Sequence, residues 1–365
     1  MDPDVRDRRV VIRGLVRPFA AEGRSTSNPI VPPAAIEVRE LIHRRIGEGS
    51  RPGARRDRHR LALCIEGGGM RGVVSAGMVS ALERLGLLSA FDAVYGSSAG
   101  AINGAFFVAG QAAFGTSIYY ENINNKRFID IGRSFGPRPI LDLDLLVWNV
   151  MRGPKRLDVP RVLESPIQFH SLATDTASGR RVVFRSWIGE EDFLSSLRAG
   201  ATMPIVAGPP YEYKGGKCWD ALLTEPIPAR IAEEDGCTHL MVLLTRPAGA
   251  AGPRLSFIDR VFILPRLRAV SVPLARRYAA RAREYVELLK VLSTGRGPQE
   301  RAAVLTVAPA TTVAGKLECD RGRLLAAARA GASAVVAGLA LDATREEKVL
   351  GLFGPERRRQ PAKSR

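Results

Sequence analysis

Between residues 61 and 307 the chain alternates short apolar runs with longer stretches in which apolar residues recur every three or four positions. Apolar runs of strand length bounded by turn formers predict strands, and the three-to-four spacing predicts helices. Strands are predicted at 61–66, 93–97, 167–174, 181–184, 239–244 and 303–307, and helices at 73–85, 99–109, 143–151, 191–199, 274–292 and 323–337. Gly86 follows the first of these helices as a C-terminal stop. Strands that alternate with helices belong to a mostly parallel sheet covered by helices, so the predicted class is α/β.

The ends of the chain read differently. Residues 1–58 are arginine-rich, with Pro32-Pro33, a short helical pattern at 36–46 and then a polar Gly- and Arg-rich loop, which predicts a basic extension ahead of the domain. The domain itself is placed at 59–345, with its core motifs in 61–244. The tail 346–365 is basic, broken by proline and without periodicity, and is expected to be disordered.

Composition adds a bias rather than a function. The 365 residues are 45% hydrophobic and 25% charged, near average for a globular enzyme, yet 54 basic residues face 37 acidic ones for a net charge of +17. Only eight of the basic residues are lysines. Such a surplus attracts polyanions without choosing among them. Zinc-finger spacing, ribonucleoprotein aromatic motifs and basic-zipper heptads do not occur, so nucleic acid is not the expected partner. Cys64, Cys218, Cys237 and Cys319 form no CxxC pair and read as buried free thiols of a reducing compartment. The first thirty residues hold no continuous apolar segment of the signal type, and the longest weakly polar stretch, 332–341, is half of what a bilayer requires. A cytoplasmic protein, peripheral at most to a membrane, is expected.

The first candidate chemistry lies after the strand at 61–66, where Gly67-Gly68-Gly69-Met70-Arg71-Gly72 leads into a helix. Glycines there let the backbone turn sharply and bring bare N–H groups to an anion, with the helix N-terminus adding partial positive charge. The run also matches G-x-G-x-x-G of dinucleotide folds. That reading needs an acid at the end of the second strand, whereas Asp92 precedes it and the strand runs into Gly96-Ser97-Ser98-Ala99-Gly100.

This second turn is G-x-S-x-G between a strand and a helix, the context in which Gly96 and Gly100 allow a strained bend that presents the Ser98 hydroxyl. A serine needs a base to become a nucleophile. Of the four histidines, His43 and His59 lie in the extension, His170 sits inside an apolar strand as a structural residue, and His239 begins a strand rather than following one. An ordinary Ser-His-Asp triad is therefore poorly supplied. The alternative base is a carboxylate in direct contact with the serine, and Asp220, at a strand end before a proline-containing loop, is the candidate. Beside an apolar pocket its pKa would rise, which suits a base near neutrality.

Taken in order, these segments resemble the patatin-like phospholipases, serine lipid acyl hydrolases, over 61–244. GGGMRG resembles that family's oxyanion loop, which implies oxyanion roles for Gly67, Gly68, Gly69 and Gly72 with Arg71 at the basic position. GSSAG resembles its nucleophile elbow and implies Ser98 as nucleophile; WDAL resembles its D-G-G/A motif and implies Asp220 as proton acceptor. SLRAGATMPIVAGPP resembles the family's helix-to-proline segment and implies that Pro204 lies near the active-site wall. The resemblance implies a three-layer fold with a Ser-Asp dyad, hydrolysis of lipid esters of the phospholipase A or lysophospholipase kind through an acyl-serine, and no metal or cofactor. One departure is evident: Ala221 and Leu222 stand where the family has Gly followed by Gly or Ala. If the backbone there needs positive φ, Ala221 would strain it and could leave a weak or inactive, lipid-binding homologue. From Leu274 onward, Arg276, Arg277, Arg281 and Arg283 lie among apolar residues in a helix suited to transient contact with an anionic membrane surface, or simply to a solvated face. Acyl length, headgroup preference and oligomeric state are not encoded in these patterns.

Overall fold

In the computed structural model, which describes residues 32–250 and 259–354, strand β1 (Leu61–Ile65) is buried at every position. A strand covered on both faces has no polar side to show, hence its unbroken apolar run. Its residues alternate between two cores. Leu61, Leu63 and Ile65 join the larger one, and Ala62 and Cys64 the other. Parallel neighbours follow on each side: β2 (Ala93–Ser97) and then β3 (Gln168–Asp175) in one direction, β7 (His239–Leu243) and then β8 (Ala303–Val307) in the other. Antiparallel β4 (Arg181–Phe184), β5 (Tyr211–Tyr213) and β6 (Gly216–Asp220) complete a mixed, mostly parallel eight-stranded sheet.

Helices cover both faces. The principal ones are α1 (Pro33–Gly47), α2 (Val73–Arg84), α3 (Ala99–Val108), α4 (Glu190–Ala201), α5 (Val272–Ser293) and α6 (Arg321–Gly338). The larger core receives α1, α2, α3 and α6, while α5 and the short helix Ala229–Glu234 close the second face. Helices α2 and α6 meet nearly backbone to backbone: a Cβ on Gly77 would lie 2.0 Å from the Ala328 carbonyl oxygen, and one on Gly331 would lie 2.1 Å from that of Val74. Small residues in these helices are what permit the approach.

Predicted strands and helices agree with the observed ones to within a few residues, and the segment predicted as a helix at 143–151 contains a π-helical stretch, Leu145–Val150. Within the sequence-assigned extension, α1 buries Val38, Leu41 and Ile42 in the main core. Its Arg45 is wholly buried and donates to Asp57, Asp92 and the carbonyls of Ala90 and His59. At the other end a helix spans Ala343–Leu350 and a 3-10 turn Gly351–Phe353, so the expected disordered tail is ordered through residue 354. Its remainder, 355–365, lies outside the described residues, as do 1–31 of the basic extension. Cys64, Cys218 and Cys237 are buried free thiols as expected, whereas Cys319 is half-exposed because it lies in the loop before α6. No helix among the described residues is long and apolar enough to cross a membrane.

Candidate active site

The sheet register brings the serine and the aspartate together. In β3, Leu172 pairs with Ser97 of β2 on one side and Val183 of β4 on the other. The next residue, Ala173, still has β4 beside it through Val182, but its other partner is now Asp220 of β6. The edge of β3 that β2 vacates is thus taken over by β6, arriving antiparallel. Ser98, one step past the end of β2, and Asp220, the last residue of β6, meet at this junction.

The Ser98 Oγ donates to Asp220 Oδ2 at 2.6 Å. Ser98 holds φ 56° and ψ −130°, a costly conformation for a residue with a side chain, and the strain aims its hydroxyl at the junction while α3 begins behind it. Glycines make room for the bend: a Cβ on Gly100 would lie 2.3 Å from the Ile65 carbonyl oxygen, and one on Gly96 would lie 2.3 Å from the Ala101 Cα.

Asp220 is fully buried. Its Oδ1 accepts from the Leu222 N–H at 2.8 Å, its own N–H donates to the Thr202 carbonyl after α4, and its carbonyl accepts from Thr174 Oγ1. Burial pushes its carboxyl up to about 6 against the opposing pull of the Ser98 hydroxyl, the Leu222 N–H and the charge of Lys316. The strain expected at Ala221 does not arise. Ala221 opens a 3-10 turn that Asp220 caps, it is not among the described residues with positive φ, and its methyl is buried in the second core. A turn that stays in the right-handed region does not require glycine.

The glycine loop lies against the elbow. A Cβ on Gly67 would stand 2.4 Å from the Ser97 carbonyl oxygen and 2.6 Å from the Ser98 Cβ, so only glycine lets the loop backbone reach the hydroxyl. Gly69 has φ +60°, and Gly72 packs on Ala99 and the Tyr119 hydroxyl. The Met70 N–H is committed to the Lys316 carbonyl at 3.0 Å. Arg71 is buried and turned into the fold, where its Nε donates to Thr245 Oγ1 at 3.1 Å. Thr245 Oγ1 is also 2.8 Å from Glu66 Oε2 and 3.1 Å from the Gly67 carbonyl, and Glu66 Oε1 accepts from the Tyr285 hydroxyl of α5. Burial and the neighbouring Arg246 lower the Arg71 pKa to about 10. This geometry makes Arg71 a brace for the loop.

Next to Ser98 opens a cavity bounded by Gly69, Met70 and Ala99 and, further in, by apolar side chains such as Ile102, Ile118, Phe128 and Leu143. Ala201 and Met203 form part of this wall, and Pro204 is buried one residue beyond.

The histidines are elsewhere. His239 pairs with Leu61 at the N-terminal end of the parallel strands, the end opposite Ser98, with its Nδ1 2.9 Å from Thr238 Oγ1 and its ring against His59. Burial holds its pKa down at about 4. His170 stacks on Tyr95, but neither ring nitrogen has a hydrogen-bond partner, so it is held by packing rather than by the satisfied polar contacts expected of a structural histidine. His43 is exposed, whereas His59 is half-buried. Asp92, the acid considered for a dinucleotide site, is bound by Arg45, Arg55 and the Leu61 N–H at that same far end. Among the described residues no three His, Cys, Asp or Glu side chains are grouped to hold a metal ion.

Sequence reasoning missed Glu66, Thr174, Thr202, Thr245 and Lys316. Glu66 carried a signal, a carboxylate ending an apolar strand next to a glycine loop, and Thr202 lies within the segment SLRAGATMPIVAGPP; the others come from distant segments with no motif.

Residues 63–233 match the patatin-like phospholipase family. This segment is a patatin-like phospholipase domain. The uncharacterized protein YjjU of Escherichia coli K12 is 27% identical over 191 residues, 52% of this chain and 53% of that protein. An uncharacterized NTE-family protein of Mycobacterium tuberculosis H37Rv is 28% identical over 207 residues, 53% of this chain and 51% of the relative. The chain thus spans about half the length of these curated relatives. A solved structure, VipD from Legionella pneumophila, shares 12% identity with a TM-score of 0.29, covering 45% of this chain and 46% of its own. The match of residues 63–233 to the patatin-like phospholipase family supports lipid hydrolase chemistry at the family level.

Proposed function

We propose that this protein hydrolyses carboxylic esters of lipids through an acyl-serine formed on Ser98, with Asp220 as the proton acceptor. The observation that carries the reading is the 2.6 Å contact between Ser98 Oγ and a buried carboxylate at the mouth of an apolar cavity. Asp220 takes the hydroxyl proton as Ser98 Oγ bonds to the ester carbonyl carbon. The negative charge passes to the carbonyl oxygen, where the Gly67, Gly68 and Gly69 amides stabilise it. Collapse breaks the bond to the alcohol oxygen, which takes the proton back from Asp220. Water then repeats the sequence on the acyl-serine, releasing the acid and restoring Ser98. The acyl chain lies in the apolar cavity, where it is withdrawn from water.

The reading includes transient contact with an anionic membrane surface. Arg268, Arg276 and Arg277 are exposed near Val270 and Val272, a basic and apolar combination suited to lipid headgroups. The buried thiols fit a cytoplasmic setting.

The test is fluorophosphonate labelling with the modified peptide located by mass spectrometry. Wild type is expected to label at Ser98, and folded Ser98→Ala and Asp220→Asn proteins to lose labelling by at least a hundredfold. A folded wild type that does not label would leave a lipid-binding, catalytically silent domain instead.

A further inference from the structure

Ser98 and Asp220 come from segments 122 residues apart, and their contact lasts only while both segments are held. Ser98 sits in a strained backbone conformation, which persists only where its neighbours leave it no alternative. After Ser98 the start of α3 supplies that restraint, since the Ala101 N–H donates to the Ser98 carbonyl at 2.9 Å. Before it stands Ser97, almost wholly buried, whose Oγ donates to the Glu225 carbonyl at 2.6 Å. Glu225 closes the turn that follows Asp220: its N–H donates to the Ala221 carbonyl at 2.7 Å, and the Thr224 N–H reaches the same carbonyl at 3.0 Å. The residue before the nucleophile is thereby fastened to the far end of the segment that carries the base.

That segment is itself anchored at both ends. The buried Glu225 carboxylate accepts from the Arg181 guanidinium of β4 on one oxygen and from the Ile231 N–H, at 2.9 Å, on the other. At the near end Thr174 Oγ1 of β3 donates to the Asp220 carbonyl at 3.0 Å and lies 2.9 Å from Thr224 Oγ1. A carbonyl fixed in this way cannot follow a serine that moves, so the Ser97 hydrogen bond sets the spacing between the elbow and the base. Ser97 also stands apart from the substrate. Side chains alternate along a strand, which puts Ser97 on the face of β2 that Tyr95 presents to the second core. The cavity beside Ser98 lies on the side of the larger core, and its wall includes neither Ser97 nor Glu225. An aliphatic residue in place of Ser97 would leave the Glu225 carbonyl without this donor.

We infer that Ser97 is a positioning residue for the hydrolysis: through the Glu225 carbonyl it keeps the Ser98 hydroxyl within hydrogen-bonding distance of Asp220. The inference rests on the hydrolase reading, yet the spacing can be followed without turnover. The Ser98 hydroxyl is one of the groups that hold the Asp220 carboxyl down against its burial, so a lengthened contact lets that carboxyl rise.

Two measurements on folded Ser97→Ala test the assignment. Hydrolysis of a short p-nitrophenyl ester is expected to lose about tenfold or more in kcat with KM within about threefold, because the groups facing the substrate are untouched. The Asp220 carboxyl, followed by NMR of carboxyl-labelled aspartate and identified by the signal missing from Asp220→Asn, should titrate higher by about half a pH unit or more. The Leu222 N–H and the charge of Lys316 act on it in both proteins. Ser97→Thr, which keeps the hydroxyl, should restore both readings. If Ser97→Ala does not fold, Ser97→Cys, a weaker donor of similar size, takes its place with both changes expected in the same direction. A folded variant with kcat and Asp220 titration as in wild type overturns the inference, even if its melting temperature falls. A rise in KM at unchanged kcat, a loss of kcat without the titration shift, or a loss that Ser97→Thr leaves in place does the same. A titration shift in a protein whose wild type neither hydrolyses esters nor labels at Ser98 keeps the positioning of Ser98 and removes the hydrolase reading.

Discussion

Asp220 is held by its surroundings near the edge of ionisation. Desolvation raises its carboxyl to about 6, while two donors and a nearby cation limit the rise. Ester hydrolysis should therefore fall on the acid side with a midpoint near pH 6, as the base becomes protonated. A carboxyl whose folded pKa lies above its unfolded value of about 3.8 keeps its proton longer in the folded state, so it makes stability decline as pH rises from about 4 to 6. Asp220→Asn removes that cost. At pH 7 the variant should be inactive yet melt no lower than wild type, with a gain of up to about 3 kcal/mol. A pH-rate profile and thermal denaturation at pH 4 and 7 check both halves. Legibility at this scale was uneven: Ser98 and the glycines stand in motifs, whereas Lys316 and Thr245 are ordinary residues whose importance comes from what they touch.

At the scale of elements, α1 is joined to the sheet by one side chain. Arg45 reaches between Asp57 and Asp92 with no exposure of its own, and its hydrogen bond holds the Asp57 carboxyl down at about 2. Arg45→Met should cost about 3 kcal/mol, because two largely buried carboxylates lose their shared cation, although Arg55 still reaches Asp92. A depressed carboxyl stabilises above its unfolded pKa and loses that contribution as pH falls through its folded one. Wild type should therefore weaken between about pH 4 and 2 more steeply than the variant, as followed by urea denaturation. The sequence showed α1 as a helical pattern, but an arginine on a helix reads as solvated until its partners are known. The dyad shows the same limit, because the replacement of β2 by β6 along β3 depends on register, and register is a property of pairing.

Across the whole molecule, the parallel strands separate structure from chemistry. Ser98, the glycine loop and Asp220 collect at the C-terminal ends of β1 and β2, while Asp92, Arg45 and His239 stabilise the opposite end. His239→Ala should leave ester hydrolysis within about twofold of wild type, measured as kcat/KM on a short p-nitrophenyl ester. A loss comparable to that of Asp220→Asn would return a histidine to the mechanism.

The strand and helix order, the α/β class and the two strand-turn-helix motifs were determined by the sequence alone, because periodicity and glycine placement are local and act before any contact forms. Ser98 and Asp220 could be named as candidates on that basis. Their 2.6 Å contact, the right-handed turn that makes Ala221 acceptable, the inward brace of Arg71 and the tie from Ser97 to Glu225 were decided only by the tertiary structure. These depend on burial and on segments far apart in the chain, and none of them is present in a local pattern of residues.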